Sequence, residues 1–329
     1  LLAYAQFTSG IFMFLLTRQS EFIPFLVLYL AYQMVFQPGV AVTNAIVFHH
    51  SPNATRRFGG IRKWGTIGWI VAGWLFSIVW LRFFDGRIEH ALVFSAFTSV
   101  GLGLYSLTLP AGPKDAPRRR RLFPDAALRV FRSPAIVGTA IAGFFMQLVD
   151  KYYYFGTAPF LRDIGFPDSH IMPIMTIGQI TEVVFLALLG GIIARIGFRR
   201  ALMLGALMEV LRFFCFTLVG WKYFAVAGIL FHGPAFALFF TTAFIFIDTF
   251  TDTESRAGVQ QLFSVLSIGI GNFAGSILAG FVYDLSTAAS TAGAAAGTVL
   301  YTNFWMVPLV ISAFVAAGIG IVGLVRSRR

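Results

Sequence analysis

Gln179 and Glu182 stand three residues apart inside a long apolar run, with Val183, Val184, Phe185 and Leu186 directly after the acid. On a helix that spacing puts both side chains on one face. A carboxyl held among aliphatic groups can carry a proton, and an amide one turn away can hydrogen-bond a polar solute. A structural, hydrogen-bonded acid is the plainer reading of the same pair. Gln147 and Asp150 repeat the spacing and are followed by Lys151, Tyr152, Tyr153 and Tyr154. Asp150 and Lys151 diverge by about 100° around a helix, so each needs a partner on another helix. Amides beside three tyrosines suit a planar, hydroxylated solute, although an interfacial aromatic belt has the same composition. Arg62, Thr66 and Trp69 form one helical stripe, and Arg62 lies close enough to the end of its run to snorkel. His232 shares a face with Phe236 and could relay a proton, bond a solute or be a satisfied interior residue. Glu209 and Arg212 can pair across one turn and read as a structural ion pair.

The elements that must position these residues are ten apolar segments, at about 1–16, 22–47, 61–83, 90–109, 133–160, 170–193, 200–219, 222–247, 258–284 and 300–325. Mean hydropathy is +0.79 and only 12% of residues are charged, about half of what a soluble domain carries. About 20 apolar residues span the hydrocarbon core as a helix. Barrel strands are short and alternating, and these runs are neither. The expected fold class is therefore an all-α membrane protein with ten transmembrane helices. Ionisable residues inside such spans face the bundle interior.

The net charge of +11 raises the question of nucleic acid, and the location of the charges answers it. Sorted by alternate loops, one side holds 18 Lys and Arg, among them Arg118 to Arg121 and Arg199, and the other holds five: Arg18, Arg82, Arg87, Arg162 and Lys222. The richer side is cytoplasmic by the positive-inside bias, which puts both chain ends there. The run at Arg118 to Arg121 reads as a topology determinant against anionic lipid headgroups, not as a nucleic-acid site. Asn53-Ala54-Thr55 matches a glycosylation sequon on the wrong side of the membrane, a chance match.

The single cysteine, Cys215, excludes an internal disulfide and a cysteine metal cluster, and no His or Cys pair has metal-ligand spacing. No cofactor is expected. Walker A, Gly-x-Ser-x-Gly and His-Glu-x-x-His patterns are missing, so an enzyme is not expected. Transport without an ATP-binding segment would be facilitated or ion-coupled.

The stretch 110–132, with prolines at 110, 113, 117 and 124 around its basic run, divides four spans from six. The domains expected are a partial N-terminal half at 1–110, a central cytoplasmic loop at 111–132 and a six-helix half at 133–329. Two further helices upstream would restore a symmetric pair of halves. The chain starts inside an apolar run without Met, which fits an N-terminal truncation. Gly271 and Gly275 read as a helix-packing pair, with flexibility as the alternative. Pro38, Pro159, Pro173, Pro234 and Pro308 can each kink a span.

One segment is specific. Arg57-Phe58-Gly59-Gly60-Ile61-Arg62-Lys63-Trp64-Gly65-Thr66-Ile67-Gly68-Trp69 resembles the Arg-x-Trp-Gly-Thr-Ile-Gly-aromatic opening of the fifth helix in the nucleoside:proton symporter family of the major facilitator superfamily. Val42 to His49 resembles the end of that family's fourth helix. Gln179-x-x-Glu182 and His232-Gly233 with Phe236 also match, and Gly191 to Arg200 is similar to the superfamily loop between helices 8 and 9, with Ala194 where an acid is usual. The resemblance covers essentially the whole chain as helices 3 to 12 of twelve.

It implies a major facilitator superfamily-like bundle of two halves around a cavity that opens alternately to each side. It maps Arg62, Thr66, Gln147, Asp150, Gln179, Glu182, His232 and Phe236 onto substrate positions, with Trp69 and the tyrosines packing against a base. Ala237 replaces the family's proton-linked aspartate, so coupling falls to Glu182 or Asp150, or is lost. The implied partners are a nucleoside, protons and membrane lipid, in a bacterial-type inner membrane. A carrier of another polar solute such as a sugar, and a non-transporting receptor or scaffold, are the alternatives.

Overall fold

The computed structural model describes residues 2–50, 54–84, 89–109, 131, 133–249, 256–290 and 300–322, and all regular structure among them is helical. The Arg118 to Arg121 run, nearly all of the 111–132 loop and the sequon at Asn53 lie outside the described residues. The chain divides into two compact units, Leu1–Arg118 and Arg119–Arg329.

The first unit holds α1 (Leu2–Leu16), α2 (Phe22–His50), α3 (Ala54–Trp74) and α4 (His90–Ser106). Helix α3 runs on through a π-helical stretch, Leu75–Trp80, into Leu81–Phe83. Helix α1 packs against both α2 and α4. Met13, Leu16, Tyr32 and Ala96 are its buried centre.

The second unit holds α5 (Pro134–Asp163), α6 (Asp168–Thr217), α7 (Lys222–Asp248), α8 (Arg256–Ser264, Val265–Ile270 and Gly271–Ser290) and α9 (Tyr301–Val322). At 1.5 Å per residue, the 50 residues of α6 would extend about 75 Å, more than twice the roughly 30 Å hydrocarbon core. Gly197, at φ 77°, breaks this run between the segments expected at 170–193 and 200–219. A left-handed φ suits glycine, and the two arms fold back on α7. A Cβ on Gly178 of the first arm would lie 3.0 Å from the His232 Cβ, and one on Gly205 of the second would press on the Phe239 backbone.

Among the described residues, five helices are long and apolar enough to cross a membrane: Trp64–Phe83, Asp168–Thr217, Lys222–Asp248, Val259–Thr287 and Tyr301–Ile321. Leu2–Leu16, Phe22–Phe36 and His90–Ser106 are shorter apolar helices.

In hydrocarbon a backbone carbonyl without a donor is costly, so each proline in a span raises an accounting question. Pro234 cannot donate to the Leu230 carbonyl, and the Thr181 hydroxyl on α6, whose one hydrogen is shared with the Gly178 carbonyl at 2.8 Å, reaches it at 3.1 Å. Pro308 likewise leaves the Phe304 carbonyl, which accepts from the Tyr152 hydroxyl of α5 at 2.7 Å. Beyond Pro234 the helix widens into a π-helical stretch at Phe236–Thr241, where the Thr242 hydroxyl bonds the Ala237 carbonyl at 3.3 Å.

Two ends of the second unit can be told apart. At one, the Arg199 guanidinium donates to the Ile319 carbonyl at 3.2 Å and to that of Gly320, near the end of α9, where a cation complements the helix dipole. At the other, the Tyr301 hydroxyl donates to Asp163 at 2.6 Å, Thr302 donates to the Thr217 carbonyl at 3.3 Å and Arg162 pairs with Asp168 at 2.7 Å.

Candidate functional site

The polar residues of the second unit converge where α5, the two arms of α6 and α7 meet. Backbone proximity makes this possible. A Cβ on Gly233 would collide with the backbone of Thr181 and Glu182, so only glycine lets α7 come this close to the first arm of α6. His232 then lies against both arms at once. Its Nε2 is 4.0 Å from Glu182 Oε2 and 3.4 Å from the Tyr154 hydroxyl. Its Nδ1 is 2.6 Å from the Arg212 guanidinium and 3.8 Å from Asp150 Oδ1.

A guanidinium can only donate, so Nδ1 must accept, and the ring proton is left on Nε2, facing Glu182 and Tyr154. Tyr153 stacks on the imidazole with centroids 5.2 Å apart, and Phe236 lies 6.3 Å away on the next turn. Gln179 donates to the Tyr154 hydroxyl at 3.4 Å. Its Oε1 is buried without a hydrogen-bond partner among the described residues. A buried amide oxygen with no donor is an acceptor waiting for one.

Asp150 finds the inter-helix partner that its adjacency to Lys151 demanded. Arg212 approaches its Oδ1 to 3.7 Å, pairs with Glu209 one turn back and lies 4.2 Å over the Tyr153 ring. The Glu209–Arg212 pair is thus present as expected, and it is also tied to Asp150 and His232. Arg212, Glu209 and His232 are at most 1% exposed. Sequence spacing carried no sign of this joining, because it depends on where two helices cross.

Gln147 points elsewhere, its amide donating to Asn272 of α8 at 3.0 Å. Asn272 was not singled out from sequence, although a lone amide in an apolar run between two glycines was a usable signal. Those glycines pack. A Cβ on Gly271 would meet the Phe144 carbonyl and Gln147 Cβ at 3.0 Å, and one on Gly275 would collide with Leu148. Tyr152 and Tyr153 are fully buried and so form no interfacial belt, while Tyr154 is 39% exposed.

The structure therefore gathers Asp150, Gln179, Glu182, His232 and Phe236, with Gln147 on the neighbouring α5–α8 contact. In the first unit Thr66 is half-buried and Trp69 exposed, and the Arg62 side chain lies outside the described residues. Among the described residues no group of three or more His, Cys, Asp or Glu could hold a metal ion. The second-unit cluster offers an open amide acceptor, a tyrosine hydroxyl, a carboxyl and aromatic faces, which together can hydrogen-bond and stack a small heterocyclic solute.

Residues 1–323 match the sequence model of the family described as nucleoside H+ symporter. YegT of Escherichia coli (strain K12), whose name proposes nucleoside transport, is 28% identical over 295 residues, covering 86% of this chain and 69% of YegT. The xanthosine permease of Escherichia coli (strain K12) is 27% identical over 277 residues, covering 76% of this chain and 64% of the permease. The chain thus spans about two thirds of the length of these relatives. A crystal structure of the nucleoside transporter NupG superposes with a TM-score of 0.81 at 21% identity, over 99% of this chain and 82% of that one. That likeness gives the fold, an all-helical bundle.

Proposed function

The chain belongs to the nucleoside H+ symporter family, and we propose that it carries nucleosides together with protons across a bacterial inner membrane by alternating access. In this reading its helical segments are ten of a bundle of twelve, and both ends of the chain face the cytoplasm. The Arg199 end of the second unit is then cytoplasmic, and the Asp163 end faces outward. Gln179 and Asp150 bond the ribose and the edge of the base, and Gln147, which also donates to Asn272, extends the polar wall from the α5–α8 contact. Tyr154 and Phe236 pack against the faces of the base, and by the family resemblance Arg62, Thr66 and Trp69 are further substrate-binding residues. Glu182 and Asp150 carry the proton.

The observation that supports this most directly is the buried, unpartnered Oε1 of Gln179 beside Tyr154, Glu182 and His232. It is an acceptor set among a hydroxyl, a carboxyl and aromatic rings, which is the complement of a nucleoside. Glu182 lies at the less buried edge of the cluster, where opening of the cavity to either side changes its access to water.

The test is transport by the full-length protein in liposomes. The wild type is expected to accumulate radiolabelled nucleoside under an inward proton gradient. Glu182→Gln keeps shape and hydrogen-bonding capacity but holds no proton, so accumulation should vanish while counterflow exchange partly survives. Nucleoside binding without accumulation by the wild type would point to a receptor. Accumulation of sugars in place of nucleosides would overturn the substrate assignment.

A further inference from the structure

Beneath Glu182 and His232 the charges do not balance. Asp150 and Glu209 are two buried acids, and among the described residues Arg212 is the one guanidinium between them. His232 adds no charge in the tautomer fixed by Arg212. Tyr153 and Tyr154 on α5 face the cluster as neutral phenols, and Glu182 of α6 lies beyond the imidazole. Lys151 follows Asp150 on α5 and diverges from it around the helix, so its ammonium attracts Asp150 through space without forming an ion pair with it among the described residues. With both acids ionised, the set Asp150, Glu209 and Arg212 carries one uncompensated negative charge in a medium that screens poorly. The hydrogen bonding is short of donors as well. Apart from the Arg212 guanidinium, which pairs with Glu209 Oε2, no donor reaches either carboxylate oxygen of Glu209 or Oδ1 of Asp150 among the described residues.

We propose that Asp150 and Glu209 share a single transported proton around Arg212, which makes Glu209 a coupling residue that the substrate site itself does not contain. Loading forms one O–H bond on one of the two carboxyls with a proton taken from water, and brings the set to zero charge. Unloading breaks that bond and returns the proton, and no electron moves. The added hydrogen also supplies a missing donor. Arg212 holds the pair and bonds His232, which faces Glu182 on its other edge. The site that stores the proton is thus linked mechanically to the site that meets the solute. This deepens the transport reading and rests on it.

Two measurements test the proposal in the full-length protein. In liposomes, Glu209→Gln leaves Asp150 and Arg212 as a balanced pair. Proton-driven nucleoside accumulation should drop to the level of protein-free liposomes, while counterflow exchange continues. Glu209→Asp should restore accumulation. Undiminished accumulation by Glu209→Gln would overturn the proposal.

Infrared difference spectroscopy of detergent-purified protein at neutral pH decides the matter without transport. A carboxylic-acid carbonyl band that shifts in heavy water is expected in the wild type, is retained in Glu182→Gln and is lost when Glu209→Gln is added to Glu182→Gln. Its absence from Glu182→Gln would overturn the shared proton even if Glu209→Gln failed to fold. A wild type that shows the band but moves no nucleoside would sink the transport reading and leave the proton site standing.

Discussion

Replacing Arg212 should be far more damaging than replacing the acid beside it. Arg212 is 0% exposed and serves two carboxylates as well as His232. Arg212→Met keeps most of the side-chain volume but strands Asp150 and Glu209 without a cation. Breaking a buried pair from one side costs about 3–5 kcal/mol. Glu209→Gln instead leaves Asp150 opposite Arg212 at 3.7 Å, a balanced pair, and should cost on the order of 1 kcal/mol, the scale of one hydrogen bond. At roughly 2–4 °C per kcal/mol for a domain of this size, Arg212→Met should melt about 6–20 °C below the wild type, and Glu209→Gln within a few degrees of it. Thermal unfolding of the purified protein can be followed by tryptophan fluorescence, since Trp305 is buried and stacks on Phe213 with centroids 5.8 Å apart. Equal melting of the two variants would refute the charge count, because it would mean that Arg212 serves Glu209 alone.

Three further outcomes follow from the same geometry. Gln179→Ala and Gln147→Ala should each weaken nucleoside binding by about 1–3 kcal/mol, roughly five- to 150-fold, at near-normal expression, measured by calorimetry or by competition; unchanged affinity in both would remove them from the site. Gly233→Ala forces a methyl into the α6 backbone and should cost at least the 1–3 kcal/mol of ordinary overpacking, whereas Gly191→Ala, which would meet nothing within 4 Å, should melt like the wild type; comparable melting of the two variants would contradict the close helix approach. A cysteine at Arg119 in a Cys215→Ser background should resist impermeant reagents added to intact cells, and efficient external labelling would reverse the assigned orientation.

The sequence was most informative where chemistry is local. Gln179 with Glu182 and Glu209 with Arg212 lie one turn apart, so helical spacing alone proposes each pair, and the structure keeps both on their helices. That the apolar segments are helical was legible for the same reason, since a long uninterrupted apolar run favours a helix. What could not be read was which arms cross. Asp150 and Arg212 are 62 positions apart, and their meeting is set by the Gly197 break and by the glycines that bring α6 against α7. Asn272 escaped notice because an isolated amide acquires meaning only from its partner, Gln147, 125 positions away. The tyrosine run was ambiguous because belt and core share a composition, and only burial separates them.

The two proline-freed carbonyls bear on how the protein is made. Leu230 and Phe304 each lie in a helix long and apolar enough to cross the bilayer, and each carbonyl lacks its usual donor within that helix. Its replacement donor, Thr181 or Tyr152, belongs to a helix that precedes it along the chain. During synthesis the donor therefore reaches the bilayer before the acceptor that needs it. A late helix entering hydrocarbon with an open carbonyl meets a hydroxyl already in place, and that bond gives it both a docking position and a register. The order of the residues along the chain is in this sense also an assembly sequence, in which α5 and α6 serve as the template on which α9 and α7 are seated.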